Sequence, residues 1–157
     1  MTFSFLPPDA QAPQEAQSLK KEDYELLAEF RYLLRCFLRF SERAALQYQL
    51  APQQYQALLA IEGYPGRNHV TIGELADRLQ IAHHSAVGLV DRMEKNRLVR
   101  RAPEPGDGRK VSVSLTPEGH RFLENIYRLH REELRSVGPR LGELLRTAAD
   151  TLPGGKR

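Results

Sequence analysis

Apolar side chains recur at intervals of three and four along most of this chain and alternate at two over one short stretch near its middle. From Glu22 onward, Leu26, Leu27, Phe30, Leu33, Leu34, Phe37 and Leu38, followed by Ala44, Ala45 and Tyr48, predict one long helix over residues 22–49. Its apolar surface is wider than a single contact stripe needs, so it is expected to pack against its own domain and against another chain. Pro52 suits the first turn of a second helix, which carries Tyr55, Leu58, Leu59 and Ile61 and stops at Gly63 and Pro65. A loop, residues 64–69, follows. Thr71 and Glu74 are spaced as a capping box, in which each covers the other's backbone N–H, and they open a short helix ending near Leu79. Ile81 falls in the turn, and the next helix runs over residues 83–97.

Residues 99–104 and 111–115 read as two strands of a hairpin, joined by the turn-forming Pro105-Gly106-Asp107-Gly108. Val111, Val113 and Leu115 alternate with Ser112 and Ser114, the pattern of a half-buried strand. Thr116 caps and Pro117 opens a further helix marked by Phe122, Leu123, Ile126, Leu129 and Leu134. A break is expected at Gly138-Pro139, before a last helix with Leu141, Leu144, Leu145 and Ala148. The predicted class is mainly α with a small β-wing: a winged helix-turn-helix core plus N- and C-terminal helices forming a dimerisation lobe. Residues 1–19, rich in Pro, Gln and Ala without a period, read as a mobile arm. Residues 20–50 and 117–152 form the lobe, and 51–116 the winged helix-turn-helix DNA-binding module.

Composition narrows the function. With 157 residues, 41% hydrophobic and 27% charged, the chain fits one globular domain with appended helices. No run of 18 apolar residues predicts a membrane span, and the N-terminus lacks the basic and apolar regions of a secretion signal. One cysteine, Cys36, excludes an intrachain disulfide and suits a reducing cytoplasm. The net charge is +3, and it is unevenly placed. Residues 67–110 hold nine basic and six acidic side chains, together with His69, His83 and His84. That excess lies on the helix-turn-helix and hairpin, where a polyanion would be met. The sequence contains no glycine-rich phosphate loop, nucleophile elbow or HExxH, so no enzymatic reading and no cofactor is supported.

On a helical wheel of residues 83–97, Ala86, Val90 and Met93 face inward, while His84, Ser85, Gly88, Asp91, Arg92 and Lys95 face outward. The early part of a groove-entering helix meets base edges, which nominates His83, His84, Ser85 and Gly88, with Val87 placed to touch a thymine methyl. Gly88 costs about 1 kcal/mol of helix propensity relative to alanine, tolerable where another surface approaches closely. At the hairpin tip, Asp107 and Arg109 lie on one side of the strand, so the carboxylate can hold the guanidinium extended for a minor groove. Arg100, Arg101, Lys95 and Lys110 are candidate phosphate contacts. A solvated amphipathic helix with ordinary surface charges is the plain alternative.

Gly73–Leu79, Leu89–Arg101, the Asp107-x-Arg109 pair and Val111–His120 together resemble the MarR (multiple antibiotic resistance regulator) family of winged helix-turn-helix repressors. The resemblance implies a homodimer on duplex DNA with a palindromic operator, one reading helix and one wing per subunit, and often release by a small aromatic or phenolic acid. This chain differs in having Ile81-Ala82-His83-His84 where the family often has Asp or Ser, and in lacking a basic residue beside Gly88. For an effector, Tyr32 and Tyr55 could supply aromatic walls and Arg35 or Arg39 a carboxylate partner. Some members sense oxidants through a cysteine in the first helix, which makes a redox switch at Cys36 one competing reading. A winged helix used for protein docking is the other. Adjacent His83 and His84 point about 100° apart on a helix and make a poor metal clamp.

Overall fold

The computed structural model describes residues 20–104 and 106–151, and of residues 107–109 and 151 the backbone alone. The arm expected over residues 1–19 lies outside the described residues. The elements run α1 (Lys21–Gln47), α2 (Pro52–Glu62), β1 (His69–Thr71), α3 (Ile72–Leu79), α4 (His83–Lys95), β2 (Val99–Glu104), β3 (Asp107–Leu115) and α5 (Pro117–Thr151). The class is the expected one, mainly helical with a small antiparallel sheet.

Local chemistry sets most boundaries. Asp23 accepts from the Lys20 N–H at 2.9 Å at the start of α1, and Gln54 accepts from the Ala51 N–H at 3.1 Å at the start of α2. The capping box of α3 is complete: Thr71 N–H donates to Glu74 Oε2 at 2.8 Å, and Glu74 N–H to Thr71 Oγ1 at 3.3 Å. Gln80, at φ 54°, ends α3 in the left-handed region and swings the chain into the turn before α4. Thr116 caps α5, its hydroxyl accepting from the Gly119 N–H at 3.1 Å. Gly119 is required there, because a Cβ would collide with the Leu98 carbonyl oxygen, so β2 and α5 start in backbone contact.

Three features differ from the sequence reading. The loop expected over 64–69 ends one residue early, at Asn68, and is followed by a strand not expected, β1, which pairs with β3 through His69–Ser114, Val70–Val113 and Thr71–Ser112. The sheet therefore has three strands, ordered β1-β3-β2. Because β3 is central, its alternation is blurred: Ser112 is buried, its hydroxyl donating to the Ala102 carbonyl at 3.1 Å, while Val111 is exposed. The turn is also tighter, since Glu104 pairs with Asp107 after a register shift at Pro103. Finally, the break at Gly138-Pro139 does not occur, and α5 continues through Pro139 to Thr151. A proline inside a helix removes one hydrogen bond and costs about 3 kcal/mol. Packing holds the far segment in place: Leu144 is buried, and with Arg140 and Thr147 it lines a groove against the first turns of α1.

Leu58 and Ile61 of α2, Leu75 of α3, Val90 and Met93 of α4, and Val70, Val99 and Val113 of the sheet are fully buried together. This core holds α3, α4 and the hairpin at fixed angles. Ile126 and Leu123 of α5, with Ala44 and Ala45 of α1, join it to the terminal helices.

Candidate nucleic-acid interface

Helix α4 buries Ala86, Leu89, Val90 and Met93 and leaves its other side open. His83, His84, Ser85, Arg92 and Lys95 are exposed, and Val87 and Gly88 half-exposed. Of the residues the wheel places outward, His84, Ser85, Asp91, Arg92 and Lys95 are thus exposed and Gly88 half-exposed. Its first turn has no side-chain cap, Ala82 standing at the N-cap. At Gly88 a Cβ would sit 3.5 Å from Arg92 Nη1, an ordinary contact. Among the described residues nothing therefore requires glycine at this position.

The wing leaves the core beside this open side. On β2, Arg100 is exposed and donates from Nε to Ser114 Oγ at 3.2 Å. Arg101 turns the other way. Its Nη2 meets Asp91 Oδ1 at 2.6 Å and its Nη1 meets Glu94 Oε2 at 2.5 Å, both on α4. Partial burial alone would lower the pKa of this guanidinium, but the two carboxylates raise it. The base of the wing is thus tied to α4. Lys110 is exposed near the tip. The side chains of Asp107 and Arg109 lie outside the described residues, although their backbone is in β3.

A second ion network, not anticipated from the sequence, anchors the end of β2. Arg67 pairs with Glu74 through Nη2 and with Glu104 Oε1 at 3.0 Å through Nη1. Its guanidinium carbon lies 4.7 Å from the Tyr64 ring centroid, and the Tyr64 hydroxyl donates to Glu74 Oε1 at 3.2 Å. His69 Nε2 stands 3.7 Å from the same Glu104 oxygen. The loop after α2, the start of α3 and the wing are locked together by one arginine. Only the Thr71–Glu74 spacing hinted at it, because the other partners are up to 37 residues apart.

Of the four residues considered for an effector, Tyr55 alone is buried, and Tyr32, Arg35 and Arg39 are exposed on α1. Tyr55 is buried, stacked on His130 with ring centroids 5.0 Å apart. Its hydroxyl lies 3.4 Å from His130 Nδ1, and burial pushes its pKa up to about 12. Arg35 and Arg39 stay exposed on α1. Tyr32 is exposed beside a groove of about 750 Å³ between α1 and the end of α5, lined by Glu22, Asp23, Glu25 and Glu29 as well as Arg140. Cys36 is half-buried, and its contact with Tyr32 raises the pKa of that phenol. Among the described residues no cluster of three His, Cys, Asp or Glu side chains could hold a metal ion, and no helix is long and apolar enough to cross a membrane.

Comparison with known proteins bears on this arrangement. The model of the MarR family matches residues 48–110, from the end of α1 to the wing. An uncharacterised HTH-type transcriptional regulator of Bacillus subtilis, YsmB, is 34% identical over 91 residues, which are 58% of this chain and 60% of that protein. The match thus spans less than two thirds of its relative's length. Among solved structures, a MarR family protein from Bacillus stearothermophilus superposes with a TM-score of 0.66 at 26% identity, over 76% of this chain and 82% of the other. A MepR variant from Staphylococcus aureus bound to an oligodeoxyribonucleotide has the same fold, with a TM-score of 0.58 at 19% identity over 81% and 91% of the two chains.

Proposed function

We propose, from the premise that this chain belongs to the MarR family of winged helix-turn-helix transcriptional regulators, that it acts in the cytoplasm as a homodimeric repressor on a palindromic DNA operator. One observation carries the DNA contact: the bare side of α4 and the base of the basic wing stand together, joined through Arg101 to Asp91 and Glu94. His83, His84, Ser85, Val87 and Gly88 face base edges in the major groove, and Arg92 and Lys95 approach phosphates. Arg100 and Lys110 grip the backbone on the flank, and Arg109, oriented by Asp107, enters the minor groove. Gly88 fits this arrangement, since the protein has room for a side chain there and the helix would be stronger with one.

The dimer is supported by what the single chain leaves uncovered. Leu27, Leu34 and Leu38 form one apolar stripe on the outside of α1, and Tyr127, Leu134 and Leu145 are exposed on α5. A second copy would cover them and set two reading helices about one DNA turn, 34–36 Å, apart. A small aromatic acid as effector finds less support. Four carboxylates line the groove beside Tyr32 and would repel it.

The test is titration of the protein with duplex fragments of genomic DNA at several salt concentrations. Binding should weaken steeply with salt, with a log–log slope of about 0.9 per phosphate neutralised. A shallow response, or no binding, would favour a protein-docking module instead.

A further inference from the structure

We infer, building on the DNA-binding reading above, that Arg101 is a positioning residue that makes α4 acceptable to DNA by neutralising Asp91 and Glu94, and that it holds no phosphate itself. The spacing places the problem. Asp91 follows Gly88 by three residues and His84 by seven, and precedes Lys95 by four, so an anion sits in the middle of the outward stripe. Its side chain is 59% exposed and that of Glu94 41%, so neither is hidden from an approaching phosphate backbone. At physiological salt a charge acts over about 8 Å, enough for both carboxylates to be felt across the interface. Within α4 alone, Asp91 and Glu94 cancel Arg92 and Lys95. The cation from β2 tips the balance to positive.

The geometry commits Arg101 to this task. Its two terminal nitrogens are each taken by a different carboxylate, and its backbone N–H donates to Glu94 Oε1 at 3.2 Å. A fork held on both prongs is a strong and directional arrangement. Turning to a phosphate would break two charge-assisted bonds and leave two carboxylates facing DNA. The same bridge fixes the angle between β2 and α4, so masking and positioning come from one side chain.

Affinity for an operator-bearing duplex separates the possibilities. Arg101→Gln should weaken binding about tenfold in the native background, and less than twofold once Asp91→Asn and Glu94→Gln are also present. An equal tenfold loss in both backgrounds would overturn the inference and make Arg101 a phosphate contact. Thermal melting of each variant guards against loss of fold. The native chain gives a second measurement, the NMR signals of the Arg101 guanidinium. They should stay in place when DNA is added, and a shift that follows DNA binding would also overturn the inference. Failure of the native chain to bind any duplex would instead sink the DNA-binding reading beneath it.

Discussion

The winged-helix module and the helical lobe are built to different standards of completeness. Between α2 and β3, large apolar side chains meet each other: Leu58, Ile61, Leu75, Met93, Val70, Val90 and Val113 have no measurable exposure, and Val99 is also buried. In α1, 27 residues long, only Ala44 and Ala45 are buried. Phe30, Leu33, Phe37 and Phe40 are half-covered, and Tyr24, Leu27, Tyr32, Leu34, Leu38 and Leu46 are exposed. A core that closes on itself fixes α4, the helix proposed to read DNA, against the sheet. Helices this apolar on the outside leave much of their transfer free energy unrealised in a single chain, which is the ground for the dimer proposed above.

Core and stripe mutations should therefore have opposite consequences, the largest effects expected. Leu58→Ala empties a fully buried site and should lower stability by about 2–5 kcal/mol, as read by chemical denaturation. Leu34→Glu with Leu38→Glu should leave the monomer's core intact but abolish the dimer in sedimentation, and remove the rise of melting temperature with protein concentration. A double variant that still sediments as a dimer would place the interface elsewhere.

A smaller effect separates the two regions by their charges. In the lobe, ion pairs such as Lys21–Glu25 at 3.2 Å and Arg140–Glu143 at 2.9 Å lie on exposed helix surfaces and add little. In the module, Glu74 works harder. Partial burial alone would raise its pKa, but hydrogen bonds from Thr71, Arg67 and Tyr64 outweigh it and hold the carboxyl below its ordinary value. A depressed pKa gives stability that is full above the ordinary carboxylate range and is lost as pH falls through the folded-state value. Glu74→Gln should therefore cost about 1.5–3 kcal/mol at neutral pH, the worth of hydrogen bonds to a charged group, and flatten the acid side of the stability profile. Glu25→Gln in the lobe should change neither. Unfolding measured between neutral and acid pH decides it, and an unchanged acid side in Glu74→Gln would remove Glu74 from the network.

What could be read from the sequence follows the range of the interaction. The helices, the Thr71–Glu74 box and the Thr116 cap depend on neighbours within a turn, so spacing revealed them. Strand β1 has three residues and exists only because β3, more than forty positions later, pairs with it. Pro139 was read by its local rule, which packing of Leu144 against α1 overrides. The outward residues of α4 were legible because a wheel is local geometry. The two arginine networks were not, since Arg101 reaches back to α4 and Arg67 forward to the end of β2. Tyr55 shows the converse error: an aromatic at a helical spacing looked available, and His130 from α5 covers it.

The smallest effect bears on α4 itself. Gly88 is helical with no positive φ, and a Cβ there meets only the end of the Arg92 side chain at van der Waals distance. Gly88→Ala should therefore stabilise the free protein by about 1 kcal/mol, the difference in helix propensity. If the glycine is there to admit DNA, the same methyl group should weaken operator binding while the melting temperature rises. The two quantities then move in opposite directions, which a mutation acting through the fold alone would not produce. Equal or tighter binding by Gly88→Ala would mean that the groove wall does not come close to α4 at this turn, and that base contacts begin nearer His84.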